Sequence, residues 1–240
     1  MKKLLAVLLA AGLAACGELN NHDGTGPGDT TDPGQTGNNG NNGNNNTGTT
    51  AALLMPLSVG DTWEYQITDP VTRNKLKKVS NVVSVKQVDG VDTWVMESVT
   101  GATRSVVELQ RTTDMVLRSR EDEFRAGYLV ETKIQKPGSV RGLLATPEAG
   151  KTFTERYDED YMKSDGTLQK TKDMTFDWVV DAVDESVTVP AGTFKTVKLR
   201  RVRTTNAKEK VIWLAPGVGK VKEIEANGTV EELAAFNVKK

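Results

Sequence analysis

Hydrophobic and polar positions alternate in short runs over most of this chain. In Asp61–Thr68, Trp63, Tyr65 and Ile67 fall on one side while Thr62, Glu64 and Gln66 fall on the other. In Met174–Ala182, Met174, Phe176, Trp178, Val180 and Ala182 are interleaved with polar positions that include Thr175, Asp177 and Asp181. A period of two marks strands with one buried and one wet face. The same pattern predicts strands at Val82–Val88, Trp94–Val99, Ser105–Leu109, Met115–Arg118, Tyr128–Ile134 and Lys151–Arg156. It predicts more at Phe194–Val202, Val211–Leu214, Val221–Ile224 and Val230–Val238. Asp89-Gly90, Asp165-Gly166 and Asn227-Gly228 lie between strands and suit the positive φ of tight hairpin turns. Only Leu53–Leu57 and Val140–Leu144 are expected as short turns of helix. Parallel strands need long crossovers, usually helical. The domain is therefore expected to be mainly all-β, with an antiparallel sheet.

An internal echo accompanies this pattern. Pro56-Leu57-Ser58-Val59-Gly60-Asp61-Thr62-Trp63 returns as Pro147-Glu148-Ala149-Gly150-Lys151-Thr152-Phe153, and more briefly as Pro190-Ala191-Gly192-Thr193-Phe194. Pro and Gly set a turn, and an aromatic then enters the buried face as the next strand begins. Both a duplicated half-sheet and recurrent turn chemistry account for it.

The alternation begins only at about residue 51. Gly17–Thr50 is dominated by Gly, Asn and Thr, and Leu19 is its one large apolar residue. Such a segment cannot bury enough surface to offset its ordering entropy, so a disordered linker is expected. A flexible chain of that length spans roughly 30–35 Å. Lys2 and Lys3 precede an uncharged apolar run, Leu4 to Ala14, which is shorter than the roughly 20 residues of a spanning helix and reads as a secretion signal. The expected layout is a signal at 1–15, a linker at 16–50 and an antiparallel β domain at 51–240.

Leu13-Ala14-Ala15-Cys16 resembles the bacterial lipobox, Leu-Ala-(Gly/Ala)-Cys, at every position. The resemblance implies a diacylglycerol on the Cys16 sulfur and cleavage after Ala15. Each buried CH₂ contributes about 0.8 kcal/mol, so two or three chains anchor a protein durably. Gly17 follows the cysteine; in the Gram-negative lipoproteins that the motif resembles, an Asp there favours the inner membrane, so the resemblance implies the outer membrane of the cell envelope.

Composition narrows the chemistry. The chain carries 31 basic and 32 acidic residues. Loss of residues 1–15 removes two lysines, leaving 29 − 32 = −3. No basic block suggests nucleic-acid binding. Cys16 is the sole cysteine, and the sole histidine, His22, lies in the linker. The domain therefore cannot build Ser-His-Asp or Cys-His nucleophilic sites, nor zinc sites of His or Cys. Carboxylate pairs, Ser-Lys chemistry and oxygen-ligand metals remain open, and no cofactor is expected.

Three segments carry a second resemblance. Pro56–Tyr65 (PLSVGDTWEY), Val187–Arg200 (VTVPAGTFKTVKLR) and Trp213–Glu223 (WLAPGVGKVKE) resemble, in the same order, secreted bacterial lipoprotein domains of unknown function. That resemblance implies a curved antiparallel sheet, similar to the unclosed β-barrels of the lipoprotein carriers LolA and LolB. It supplies no catalytic residues.

Several constellations could carry chemistry. Tyr157-Asp158-Glu159-Asp160-Tyr161 is the densest acidic cluster; it could offer Ca²⁺ oxygen ligands but lacks EF-hand spacing, and a solvated loop or hairpin edge fits it better. Glu121-Asp122-Glu123 has Arg118, Arg120 and Arg125 nearby to pair it. Asp177 and Asp181 share a strand face about 13 Å apart, too far for paired-carboxylate glycoside cleavage. Lys198–Arg203 is basic and strand-like, as suits an exposed strand guarded against edge aggregation or a contact for anionic head groups. Trp63, Trp94, Trp178 and Trp213 are either core or the lining of an apolar groove.

The sequence thus leads to a membrane-anchored envelope lipoprotein with a non-catalytic role, binding an apolar ligand or an envelope protein partner on the sheet face. The alternatives are a carboxylate-dependent hydrolase of envelope glycans and a purely structural surface-interaction protein.

Overall fold

The computed structural model describes residues 52–239. The expected signal segment, Cys16 and the linker lie outside the described residues. Twelve strands run in chain order: β1 (Thr62–Thr68), β2 (Lys75–Val88), β3 (Val91–Thr100), β4 (Thr103–Arg111), β5 (Met115–Arg125), β6 (Tyr128–Leu143), β7 (Thr152–Lys163), β8 (Leu168–Val189), β9 (Gly192–Arg203), β10 (Glu209–Ala215), β11 (Gly219–Ile224) and β12 (Val230–Asn237). Each of the expected strands is found. Every strand pairs antiparallel with its sequence neighbour, and β1 also pairs with β12, from Thr62↔Asn237 to Thr68↔Val230. The sheet is therefore an up-and-down barrel that closes on itself, which removes the free edges of an open sheet.

Closure corrects the unclosed barrel implied by resemblance to the lipoprotein carriers, though one seam stays partly unpaired. The β6–β7 ladder runs only from Glu131↔Lys163 to Lys136↔Asp158. Past Lys136 the backbone turns through Pro137 and Gly138, where the absent proline N–H and a φ of 154° interrupt regular pairing. The remainder of β6 keeps its partner β5, through Ser139↔Arg118 and Gly142↔Val116.

Among the described residues no helix forms, which corrects the two expected helical turns. Val140–Leu143 belongs to β6. Leu53–Leu57 is extended chain, because its backbone is engaged elsewhere: the Leu54 amide donates to the Leu144 carbonyl at 2.9 Å, and the Gly217 amide donates to the Leu53 carbonyl at 2.8 Å. Leu54 is fully buried among the barrel residues and Leu57 nearly so. This leading segment packs against the barrel wall as a strap.

The sequence echo has a structural counterpart. Gly60 donates to the Val82 carbonyl at 2.8 Å while Val82 donates to that of Asp61 at 3.0 Å. Gly150 and Val180 repeat this at 2.8 Å, with Val180 donating to Lys151 at 2.9 Å. The same corner thus docks β1 on β2 and, six strands later, β7 on β8. The third echo differs: Gly192 closes the tight β8–β9 turn, Val189↔Gly192.

Side-chain alternation sets the two faces of the wall. Glu97, Glu108, Asp160, Asp181 and Arg200 lie on the outer face, paired with Arg104, Lys86, Lys136 and one another. A membrane-spanning barrel would instead need an apolar outer band.

Candidate functional site: the barrel interior

A barrel of eight strands is just filled by its own side chains. Twelve strands enclose more space, and here long charged side chains enter it together with apolar ones. Two networks result. In the first, Lys220 lies 2.8 Å from Glu231 and 3.3 Å from Glu223, Lys210 lies 3.3 Å from Glu223, and Lys78 lies 3.1 Å from Glu231. The Tyr65 hydroxyl donates to the Lys220 carbonyl at 3.1 Å. Burial pulls the Lys220 ammonium down, but Glu223 and Glu231 outweigh it and hold its pKa above the ordinary lysine value. Burial likewise opposes the charge on Glu223, yet Lys220 and Lys210 hold it well below the usual carboxylate range, and Lys220 with Lys78 does the same for Glu231. Lys78 goes the other way: burial and the neighbouring Lys220 push it down.

The second network spans the unpaired seam. One Glu155 oxygen accepts the Val140 amide at 2.6 Å. The other accepts from Trp178 Nε1 at 2.7 Å and Arg201 Nε at 3.1 Å. Glu155 is almost fully buried, so the carboxylate takes the place of the missing β7 carbonyl opposite β6. Arg118 meets Glu121 at 2.6 Å and Glu159 at 4.0 Å. Its Nε is buried without a partner, and burial and the nearby Arg141 charge lower its pKa.

Between the networks lies a cavity of about 140 Å³. Leu57, Trp63, Met96, Leu109, Val140 and Trp178 supply apolar wall. Lys78, Arg118, Arg141, Arg201, Lys210 and Lys220 supply cations, and Ser80, Ser98 and Ser105 supply hydroxyls. The Ser80 and Ser98 hydroxyls are bonded to each other at 2.7 Å.

Of the tryptophans singled out in the sequence, Trp63 and Trp178 line this cavity. The Trp63 indole donates to the Val218 carbonyl at 2.6 Å. Trp94 packs under the Arg111 guanidinium, 4.6 Å from the ring centroid, and is not in the lining. Trp213 stands between Ile212 and Leu214, which both face the cavity, so alternation puts it on the opposite face beneath Lys198 and near Glu185. The four do not converge on one surface.

The charged candidates are also placed. Tyr157–Tyr161 is part of β7 rather than a loop. Its carboxylates alternate: Glu159 points inward to Gln135 and Tyr161, while Asp160 pairs outside with Lys136 at 2.8 Å. Glu159 is thereby separated from Asp160 by the wall and cannot share an ion with it. Glu121, Asp122 and Glu123 pair with Arg118, Arg120 and Arg125. Asp177 accepts from Thr154 and Asp181 binds Arg200, both on the outer face. Within Lys198–Arg203, Arg200 faces outward and Arg201 inward. Arg118, Arg141 and Lys220 were not legible as interior groups, because a charged residue in a strand is ordinarily read as solvated.

No family profile matches the chain, and no curated protein matches it. It aligns over 78% of its length with 99% of a candidate exported protein of YmcC-like fold from Bacteroides fragilis, at 11% identity and a TM-score of 0.48. It aligns over the same shares with a candidate lipoprotein from Parabacteroides distasonis, at 13% identity and a TM-score of 0.40. Likeness this slight says nothing about role.

Proposed function

We propose that this protein is an envelope lipoprotein, anchored through Cys16, that holds an apolar ligand inside its barrel. The observation that carries the reading is the cavity walled by Trp63, Trp178, Met96 and Leu109 at the centre of a closed sheet. An enclosed cavity in which aromatic and aliphatic walls meet convergent polar groups is a form that small-ligand sites take. The lipobox Leu13–Cys16 supports the anchor, and Gly17 supports the outer membrane. The interior position of the cavity favours a small ligand over a protein partner, which could reach only the outer wall. The glycan-hydrolase alternative is disfavoured by Asp177 and Asp181, both engaged on that wall.

The test has two parts. Metabolic labelling with a fatty-acid analogue is expected to mark the wild-type chain, and Cys16→Ala is expected to abolish the label and leave uncleaved precursor. Persistent label in Cys16→Ala overturns the anchor. Native mass spectrometry of the mature protein, extracted from bacterial membranes, is expected to retain an apolar mass beyond the acyl anchor. A bare mass that stays bare with added lipid extract overturns the ligand role.

A further inference from the structure

The cavity is not uniformly apolar, and its charges are not uniformly matched. Lys78 pairs with Glu231, Arg118 with Glu121, Arg201 with Glu155, and Lys210 and Lys220 with Glu223. Among the described residues, Arg141 is the lining cation with no carboxylate at ion-pairing distance and no side-chain hydrogen bond.

The backbone puts it there by a specific irregularity. Leu117 pairs with Val140 and Val116 with Gly142, so Arg141 is the extra residue of a β-bulge. A bulge re-aims side chains, and here the consecutive residues Val140 and Arg141 both reach the cavity. The position lies on the β6 segment that β7 leaves unpaired. Arg141 shares the lining with Lys220 and Glu223 of the first network and with Arg118 of the second. A guanidinium in partly dry surroundings needs an anion, and its planar fork fits a carboxylate or a phosphate through two parallel bonds. The buried, unpartnered Nε of Arg118 is a further donor in the same lining.

We propose that the barrel ligand is a small amphipathic anion, with a carboxylate or phosphate head held by Arg141 and an apolar tail against Trp63 and Trp178. This rests on the ligand-binding reading above and specifies its chemistry. The volume agrees with a modest tail: an apolar cavity of about 150 Å³ accommodates a benzene ring, against about 140 Å³ here.

The test uses the mature chain, residues 16–240, with Cys16→Ser so that no acyl anchor competes. Butyrate, butyl phosphate and 1-butanol are titrated by calorimetry and by tryptophan fluorescence. At least one of the two anions is expected to bind on the order of tenfold or more tighter than butanol, the strength of a charge-assisted bond in a partly dry site. Which of the two binds better distinguishes the carboxylate from the phosphate. Arg141→Gln is expected to bring that anion down to the butanol level, and an unchanged near-ultraviolet circular dichroism spectrum reports an intact barrel. Arg141→Lys is expected to restore part of the preference. If Arg141→Gln does not fold, the wild-type comparison decides alone. Equal binding of anions and butanol overturns the anionic head and leaves an apolar-ligand site. Absence of binding by all three overturns both readings.

Discussion

Glu155 and Glu223 show how single residues hold an interior of this kind together. Breaking a buried ion pair by removing one partner leaves an uncompensated charge and costs about 3–5 kcal/mol. Glu155→Ala strands the Arg201 guanidinium and the Trp178 indole and unties Val140 from β7. It is expected to lower unfolding stability by that amount, read from the urea midpoint, with a change in tryptophan emission in the folded state. Glu223 and Glu231 add a pH dependence. Their folded pKa values are depressed, so their contribution is complete above the unfolded value of about 4.3 and is lost as pH falls through the lower folded values. The urea midpoint is therefore expected to hold through neutral pH and to fall on acidification below about pH 4.5. Glu223→Gln should start lower at pH 7 and decline less steeply. An equal acid limb in the two proteins would contradict this.

At the level of elements, alternation located every strand by its apolar part and missed the charged part. Met115–Arg118 became β5 only as far as Val116 and Leu117 carry the pattern, yet the strand continues to Arg125. There the inward and outward positions are both charged, with Arg118 to Glu121 and Arg120 to Asp122 as pairs, and a period of two in hydrophobicity vanishes. Leu168–Asp173, the polar start of β8, was lost for the same reason. In the site, Trp63 and Trp178 were legible because each falls on the apolar side of its alternating run, whereas Arg141 is aimed by a bulge that leaves no mark in the sequence. The turns divide in the same way. Asp89-Gly90 was recognised and has φ of 50° and 79°. Ala126-Gly127 was not, although it joins β5 to β6 with φ of 48° and 86°, the same two-residue geometry with a poor first residue. The left-handed region costs an alanine about 1–2 kcal/mol, and Asn tolerates it better. Ala126→Asn is expected to stabilise the protein by about 0.5–1 kcal/mol, seen as a rise in Tm, and an unchanged or lower Tm would contradict that account.

For the whole molecule, the charged interior is not the main source of stability. Replacing a buried ion-pair network with apolar residues of similar volume is often neutral or stabilising, so Lys78, Lys220, Glu223 and Glu231 do not by themselves favour the fold. What favours it is apolar burial, and part of that comes from outside the strands. Leu54 and Leu57 are 0% and 2% exposed, and they belong to the strap that precedes β1. Full burial of a leucine contributes about 1.5–3 kcal/mol, so loss of both removes roughly 3–6 kcal/mol, a large share of the 5–15 kcal/mol typical of a domain. Two truncations follow. A chain beginning at Ala51 keeps the strap and is expected to match the urea midpoint of the mature protein, because nothing in Gly17–Thr50 has the composition to contribute a core. A chain beginning at Ser58 loses Leu54 and Leu57 and with them the bonds to Leu144 and Gly217. It is expected to unfold at markedly lower urea or to be recovered only as aggregate. Met55 and Leu57 also line the cavity, so if the shorter chain does fold, its binding of the butyl probes should weaken together with its stability. A Ser58 chain as stable as the Ala51 chain would show that the strap is dispensable and that the domain begins at β1.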